Sequence, residues 1–449
     1  MTSTPRSANL RYMRERGSDI ALTMVRRRQV HIAVAAPSMP WSFAAVMAVA
    51  AAVAVLAGVV LGILAAIDLW VGSDRWTQTV QAHGRLQLFG FAAPFIVALA
   101  LEFLPRLQQA PAFSRSVRFG LPVLLISGSL LAGVGQVWYS RLEVLTIPGG
   151  LLIGIGALAF CAVSVRLPAP RPLRLDPQPL FLRAAAAWLA IAAVLAIWGY
   201  LRITSGVTPI DLSHAAIETF LRGFVLLTIV GVGLRAFPGH LGLEPMPARR
   251  QQVLLVGFNL ALIAWLGAQG LGPLAELDWL ARTADAAFAV TIVLASHWLG
   301  IAGALRSARS GPRYQVLLPV AWLGIVVYAL LLLASALLPW GNRLDLYEVG
   351  AIRHQFLLGF MLPLMVAMAH IVLARFGTGR IQFENLLTAA FVLLLVAWPL
   401  RVVPALFDFP TSDVGRTLLG VAGLLVMVAL ALTATASART AYLMRRVHR

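Results

Sequence analysis

The sequence predicts an all-α, polytopic membrane protein: twelve transmembrane helices arranged as three pseudo-symmetric four-helix units, with both termini on the cytoplasmic side. Three observations lead there. The chain is 60% hydrophobic and only 12% charged, with a mean hydropathy of +0.84. Its apolar residues gather into twelve runs that each reach the roughly 20 residues needed to span a bilayer. One helix-like stretch is written three times. Only helices or closed barrels satisfy their backbone groups in lipid, and Leu/Val/Ala/Ile runs without period-two alternation exclude the barrel.

The recurring stretch opens on a histidine and soon reaches a Gly-Phe pair: His83 to Gly90-Phe91, His214 to Gly223-Phe224, and His354 to Gly359-Phe360. The glycines are 133 and 136 residues apart, close to a third of the chain. Each copy continues as an apolar run and exits near Arg106, Arg235 or Arg375. A fixed period marks an internal repeat, and one of this length fits a four-helix membrane unit. The units are expected at 42–164, 181–305 and 314–440, inside one membrane domain, 42–440. Basic tails, 1–41 and 441–449, flank it.

Taken in order, residues 1–30 carry Arg6, Arg11, Arg14, Arg16 and the Arg26-Arg27-Arg28 run, as a cytosolic tail would. The first span, 42–68, is too long for a cleaved signal peptide. Spans follow near 81–104, 118–138, 144–164, 181–202, 211–237, 250–270, 279–305, 314–338, 348–376, 382–404 and 415–440. Alternate connections carry Arg106, Arg115 and Arg118; Arg166, Arg171 and Arg174; Arg249 and Arg250; Arg306, Arg309 and Arg313; Arg375 and Arg380. The other face receives mixed charge, including Asp74 with Arg75 and Glu276 with Asp278. Arginine bias sets orientation, so the three repeat histidines are expected in the outer third of the second, sixth and tenth spans.

Charge and cysteine usage exclude several classes. The net charge is +18 and every basic residue is an arginine, a balance better explained by one arginine-rich membrane face than by nucleic acid. A single cysteine, Cys161, lies in an apolar run, so no disulfide framework, zinc knuckle or iron-sulfur set can form within the chain. No phosphate-binding loop, His-Glu-x-x-His, Cys-x-x-Cys-His or nucleophile elbow is present.

Ionisable side chains inside a span are costly and usually face the bundle interior. His214, Glu218 and Arg222 fall at i, i+4 and i+8 on one helix face. They read either as an internal Glu218–Arg222 ion pair that locks the bundle, or as an anion or cofactor carboxylate held by Arg222. His83 with Arg85, and Arg353 with His354, head the other two copies. Three histidines at equivalent positions, each near an arginine, point to cofactor ligation: imidazole nitrogen on the iron of a non-covalent haem b, with Arg85, Arg222 and Arg353 as propionate partners. Copper is the other candidate, because imidazole suits both metals. His370 lies too far along its helix from His354 to share a metal, and Met361, Met365 and Met368 read as core filling. His31, His240, His297 and His448 are given no role.

Three stretches carry a resemblance. Ala82-His83-Gly-Arg-Leu-Gln-Leu-Phe-Gly90-Phe91 is one; Arg222-Gly-Phe through Arg235-Ala-Phe-Pro-Gly-His240 is the second; Arg353-His354-Gln through Phe376-Gly377-Thr378-Gly379-Arg380 is the third. They resemble the NnrS family of twelve-helix membrane proteins. Arg85 and Leu86 stand where that family has a second histidine and a glutamate, and Gly377 where it has a histidine. The resemblance implies a haem- and copper-containing protein of the bacterial cytoplasmic membrane that responds to nitric oxide and nitrosative stress. It carries over His83 and His354 as ligands; His214 rests on the internal repeat. Partners would be membrane lipid, a gas such as nitric oxide, and an electron donor not identified by the sequence. A more distant similarity is to the catalytic subunit of haem-copper oxidases and nitric oxide reductases, where His354 stands alone in place of a His-x-His pair. Two alternatives stay open: a secondary transporter with a buried Glu218/Arg222 site, and a diverged haem-copper reductase.

Overall fold

The computed structural model describes residues 41–64, 75–108, 110–168, 172, 175–270, 277–307, 312–338, 346–376, 383–407 and 412–447. The basic N-terminal tail, His31, His448 and the 377–380 stretch lie outside these residues. Among the described residues the fold is helical throughout, with one isolated antiparallel bridge, Thr204 to Val207. Among the described residues twelve helices are long and apolar enough to cross a membrane, so the chain is a multi-pass membrane protein.

They are α1 (Ala44–Leu64), α2 (Trp76–Leu107), α3 (Arg115–Val137), α4 (Tyr139–Arg166), α5 (Gln178–Leu201) and α6 (Ile210–Leu241). There follow α7 (Ala248–Gln269), α8 (Asp278–Trp298), α9 (Tyr314–Leu337), α10 (Glu348–Leu373), α11 (Glu384–Leu406) and α12 (Asp413–Met444). Several ends differ from the hydropathy reading by a few residues, two of them for plain local reasons. α2 starts at Trp76 because a polar first turn, Trp76-Thr-Gln-Thr, is helical without being apolar. α8 stops at Trp298 because Gly300 takes a φ of +72°, which breaks the helix before a short one, Ile301–Ser307.

Burial sorts the spans. α2, α6 and α10 are 83%, 78% and 83% buried over their apolar windows, and no other span exceeds 56%. The outer spans pack in sequence: α3 on α4, α4 on α5, α7 on α8, α8 on α9, α11 on α12, and α12 back onto α1. Each inner helix is seated against its chain neighbours, α2 against α1 and α3, α6 against α5, and α10 against α9 and α11. Lipid supplies no hydrophobic force between helices, so close packing of small residues must hold them. Gly128 of α3 shows the tightness: a Cβ there would lie 2.7 Å from the carbonyl oxygen of Gly149 on α4.

The inner helices share a further feature. Each contains a π-helical segment that includes its Gly-Phe pair: Leu86–Ala92, Thr219–Leu226 and Leu357–Met361. A fourth lies in α1, Ala54–Val59. Such segments widen a turn and release carbonyls from the regular ladder, and they occur most often at functional sites. Between the inner helices, Phe89 of α2 meets Phe220 of α6 edge to face at 5.0 Å.

Candidate functional site

The polar residues of the inner helices form three separate groups near the ends of α2, α6 and α10 where these helices begin. The first brings His83 and His354 together. His83 donates its Nδ1–H to the carbonyl of Gly58, inside the π segment of α1. Gln87, one turn on, donates to the carbonyl of Ala54 at 3.1 Å, also in that segment. The imidazole of His83 lies against Gly62, where a Cβ would come within 2.8 Å of Cε1. Gly58 and Gly62 thus clear a groove on α1 that larger residues would fill.

His354 donates its Nδ1–H to the carbonyl of Gly350 at 2.6 Å, within α10. It lies within electrostatic range of His83 and of Arg401 on α11, and Arg401 is also within range of His83. All three side chains are half-buried. Among the described residues Arg401 meets no carboxylate at ion-pair distance. Alongside, Gln355 donates to the carbonyl of Gly324 on α9 at 2.8 Å and accepts from Trp398 Nε1 on α11 at 2.6 Å.

The tautomers follow from these partners. A backbone carbonyl can only accept, so Nδ1 carries the proton in both His83 and His354, and each Nε2 keeps its lone pair. That is the arrangement in which an imidazole binds a metal, with the other nitrogen oriented by a hydrogen bond.

The second group joins α6, α8 and α10. Arg222 donates from Nε to Glu218 Oε2 at 2.9 Å and from Nη1 to Asp285 of α8. Arg353 donates from Nε to Glu218 Oε1 at 2.8 Å and from Nη2 to His214 Nδ1 at 2.8 Å. The guanidinium of Arg222 also lies over Trp265 and Phe288, at 5.0 and 5.6 Å from the ring centres. His214 stacks at 31° on Trp265, 5.4 Å away. A guanidinium can only donate, so Nδ1 of His214 accepts and its Nε2 carries the proton. His214 is therefore neutral and has no free lone pair.

The third group is built on Arg85. It donates to Gln136 Oε1 of α3 at 3.0 Å and to Thr208 Oγ1, and lies 4.5 Å from the ring centre of Tyr200 on α5. Gln136 in turn donates to Gln81 at 2.9 Å and to the carbonyl of Gly206 at 3.0 Å. Gly206, with φ +80°, makes the tight turn between α5 and α6. Neutral oxygens and an aromatic face hold this arginine, which is 4% exposed.

The structure sets His83 and His354 within electrostatic range of one another and His214 in another group. Arg85, Arg222 and Arg353 are each engaged by protein groups. Among the participants that escaped the sequence reading are Gly58, Gly62, Asp285 and Arg401. The Gly58-x-x-x-Gly62 spacing and two further charged residues inside spans were the available signals. His370 is buried and bonded to Val366 O at 2.9 Å, and His297 is exposed. Met361 and Met365 are buried in the core, with Met368 packed against it. Among the described residues no three His, Cys, Asp or Glu side chains converge as a metal-binding set. The first group offers two imidazole nitrogens, the number a porphyrin takes at its axial positions.

No protein-family model matches the chain, and no curated protein matches it significantly.

Proposed function

We propose that the chain is a haem-binding membrane protein of the nitric oxide response, with His83 and His354 as the two axial ligands. The observation that carries the reading is the shared tautomer: two neighbouring imidazoles on different inner helices, each with Nδ1–H fixed on a carbonyl and Nε2 free. Gly58 and Gly350 hold the rings, Gly62 leaves room for one of them, and Arg401 stands by as a cation for a propionate carboxylate. A haem b bound there would supply a one-electron centre, and nitric oxide would reach its iron only by displacing one of the two imidazoles. The nitric oxide role itself rests on the resemblance of the three inner-helix motifs to the NnrS family. Copper fits less well, because the remaining inner-helix histidine, His214, has its Nδ1 engaged and its Nε2 protonated.

The reading includes three four-helix units and cytoplasmic termini. The 133- and 136-residue steps, the matching π segments and the burial of every fourth span support the units. The arginine-rich connections support the orientation; with it, the histidine pair would lie toward the outer face of a bacterial cytoplasmic membrane. A transporter centred on Glu218 and Arg222 has less support, since both side chains are closed in ion pairs.

The test is the reduced-minus-oxidised visible spectrum of detergent-purified protein with a pyridine haemochrome assay. A b-type signal lost in His83→Ala and in His354→Ala is the expected result. A colourless protein of full yield, supplied with haem, would overturn the reading.

A further inference from the structure

The two proposed ligands are anchored differently. His83 is tied to another helix, through Gly58 of α1. Among the described residues His354 is tied only to its own, through Gly350. Its place in the bundle is therefore inherited from the α10 backbone. The residues on either side of it fix that backbone. Gln355 bonds α9 and α11, and Arg353 bonds Glu218 and His214 of α6. Consecutive helical residues point about 100° apart, so Arg353 and His354 can serve different neighbours at the same level.

Resting on the haem reading, we propose that Glu218, acting through Arg353, is a positioning residue for His354, and that the α6–α8–α10 ion pairs set the charge beside that ligand. Glu218 is the hinge of the network, with one oxygen on Arg222 and the other on Arg353. Asp285 closes the far side. Two arginines face two carboxylates, and His214 is neutral, so the group sums to zero. Removing the Glu218 charge leaves +1 one residue from His354 and frees Arg353 from its seat. Removing the Arg353 charge leaves −1 at the same place. A positive charge near a redox centre favours its reduced form and a negative charge the oxidised form.

The experiment uses the full-length protein loaded with haem, and compares Glu218→Gln, Arg353→Gln, the double variant and Asp285→Asn. It reads midpoint potential by optical titration, the low-spin electron paramagnetic resonance signal, haem content and melting temperature. Glu218→Gln is expected to raise the potential, Arg353→Gln to lower it, and the double variant to return it toward the original value. Asp285→Asn, at the far end, should move it less than Glu218→Gln. Arg353→Lys keeps the charge and loses the planar fork, so its resonance signal should broaden with the potential nearly unchanged; this variant keeps the test open if the charge-removing ones do not fold. Haem-loaded variants whose melting temperature falls while potential and resonance stay fixed would make the network purely structural and overturn the inference, leaving the haem reading intact. Unaltered protein that takes up no haem would overturn both.

Discussion

His83 on α2 reaches the carbonyl of Gly58 on α1 because that carbonyl lies in a π segment, where the regular backbone ladder is loosened. The same segment gives Gln87 its acceptor at Ala54. Two side chains one turn apart on α2 thus read two carbonyls one turn apart on α1. The irregularity in α1 is matched to the residues it serves.

Crowding this groove should displace the ring without unfolding the bundle. In Gly62→Val, the new side chain begins 2.8 Å from His83 Cε1, so bound haem should fall severalfold while helical circular dichroism stays at the original level. Full haem binding in that variant would argue against His83 as a ligand.

His214 gives the opposite expectation. Its tautomer offers no lone pair, so His214→Ala should retain the Soret band that His83→Ala loses. Comparing the two spectra at equal protein concentration checks this.

Stability should separate the buried network from peripheral ion pairs. Glu218→Ala leaves Arg222 and Arg353 without their shared carboxylate, and breaking a buried pair in this way costs about 3–5 kcal/mol. Arg118→Ala removes a partner of Glu102 that is 22% exposed, with Arg106 still 3.6 Å away, and should cost no more than about 1 kcal/mol. Thermal melts in one detergent measure the difference.

The group around Arg85 should affect stability alone. Gln136→Ala removes the acceptor of one arginine bond and the donor to Gln81 and Gly206. The expected loss is about 1–3 kcal/mol for unpaired buried groups, with an unchanged visible spectrum.

Arg401 should couple stability to cofactor. Taking out this half-buried cation, which meets no carboxylate among the described residues, in Arg401→Gln should raise the melting temperature of the haem-free protein and reduce the further rise produced by haem, which follows from linkage between binding and folding. Equal rises in the original protein and the variant would remove Arg401 from the site.

Much of the architecture was legible in the sequence because spanning a bilayer is a one-dimensional demand. Twelve apolar runs gave twelve helices, and the Gly90, Gly223 and Gly359 spacing picked out the three spans that are most buried. The Glu218–Arg222 pair was also legible, since i and i+4 meet on any helix. What the sequence left hidden depends on helix rotation and on distance along the chain. Asp285 lies 63 residues from the arginine it binds, and no local spacing relates the two. Arg353 and His354 are adjacent in sequence yet belong to different groups, a division visible only once α6 and α2 are in place. The π segments have no apolar period of their own; they emerge where side chains such as His83 and Gln87 compete for backbone carbonyls.

The zero sum of the α6–α8–α10 ion pairs bears on a force peculiar to membranes. A single charge moved across a potential of 100 mV gains or loses about 2.3 kcal/mol, comparable to many of the contacts that hold helices together. For Arg222, Arg353, Glu218 and Asp285 moving as one body, the opposing pulls cancel. The clamp that seats α10 therefore feels no net pull along the field when it moves as a rigid body, and a change in membrane voltage does no net work on that movement.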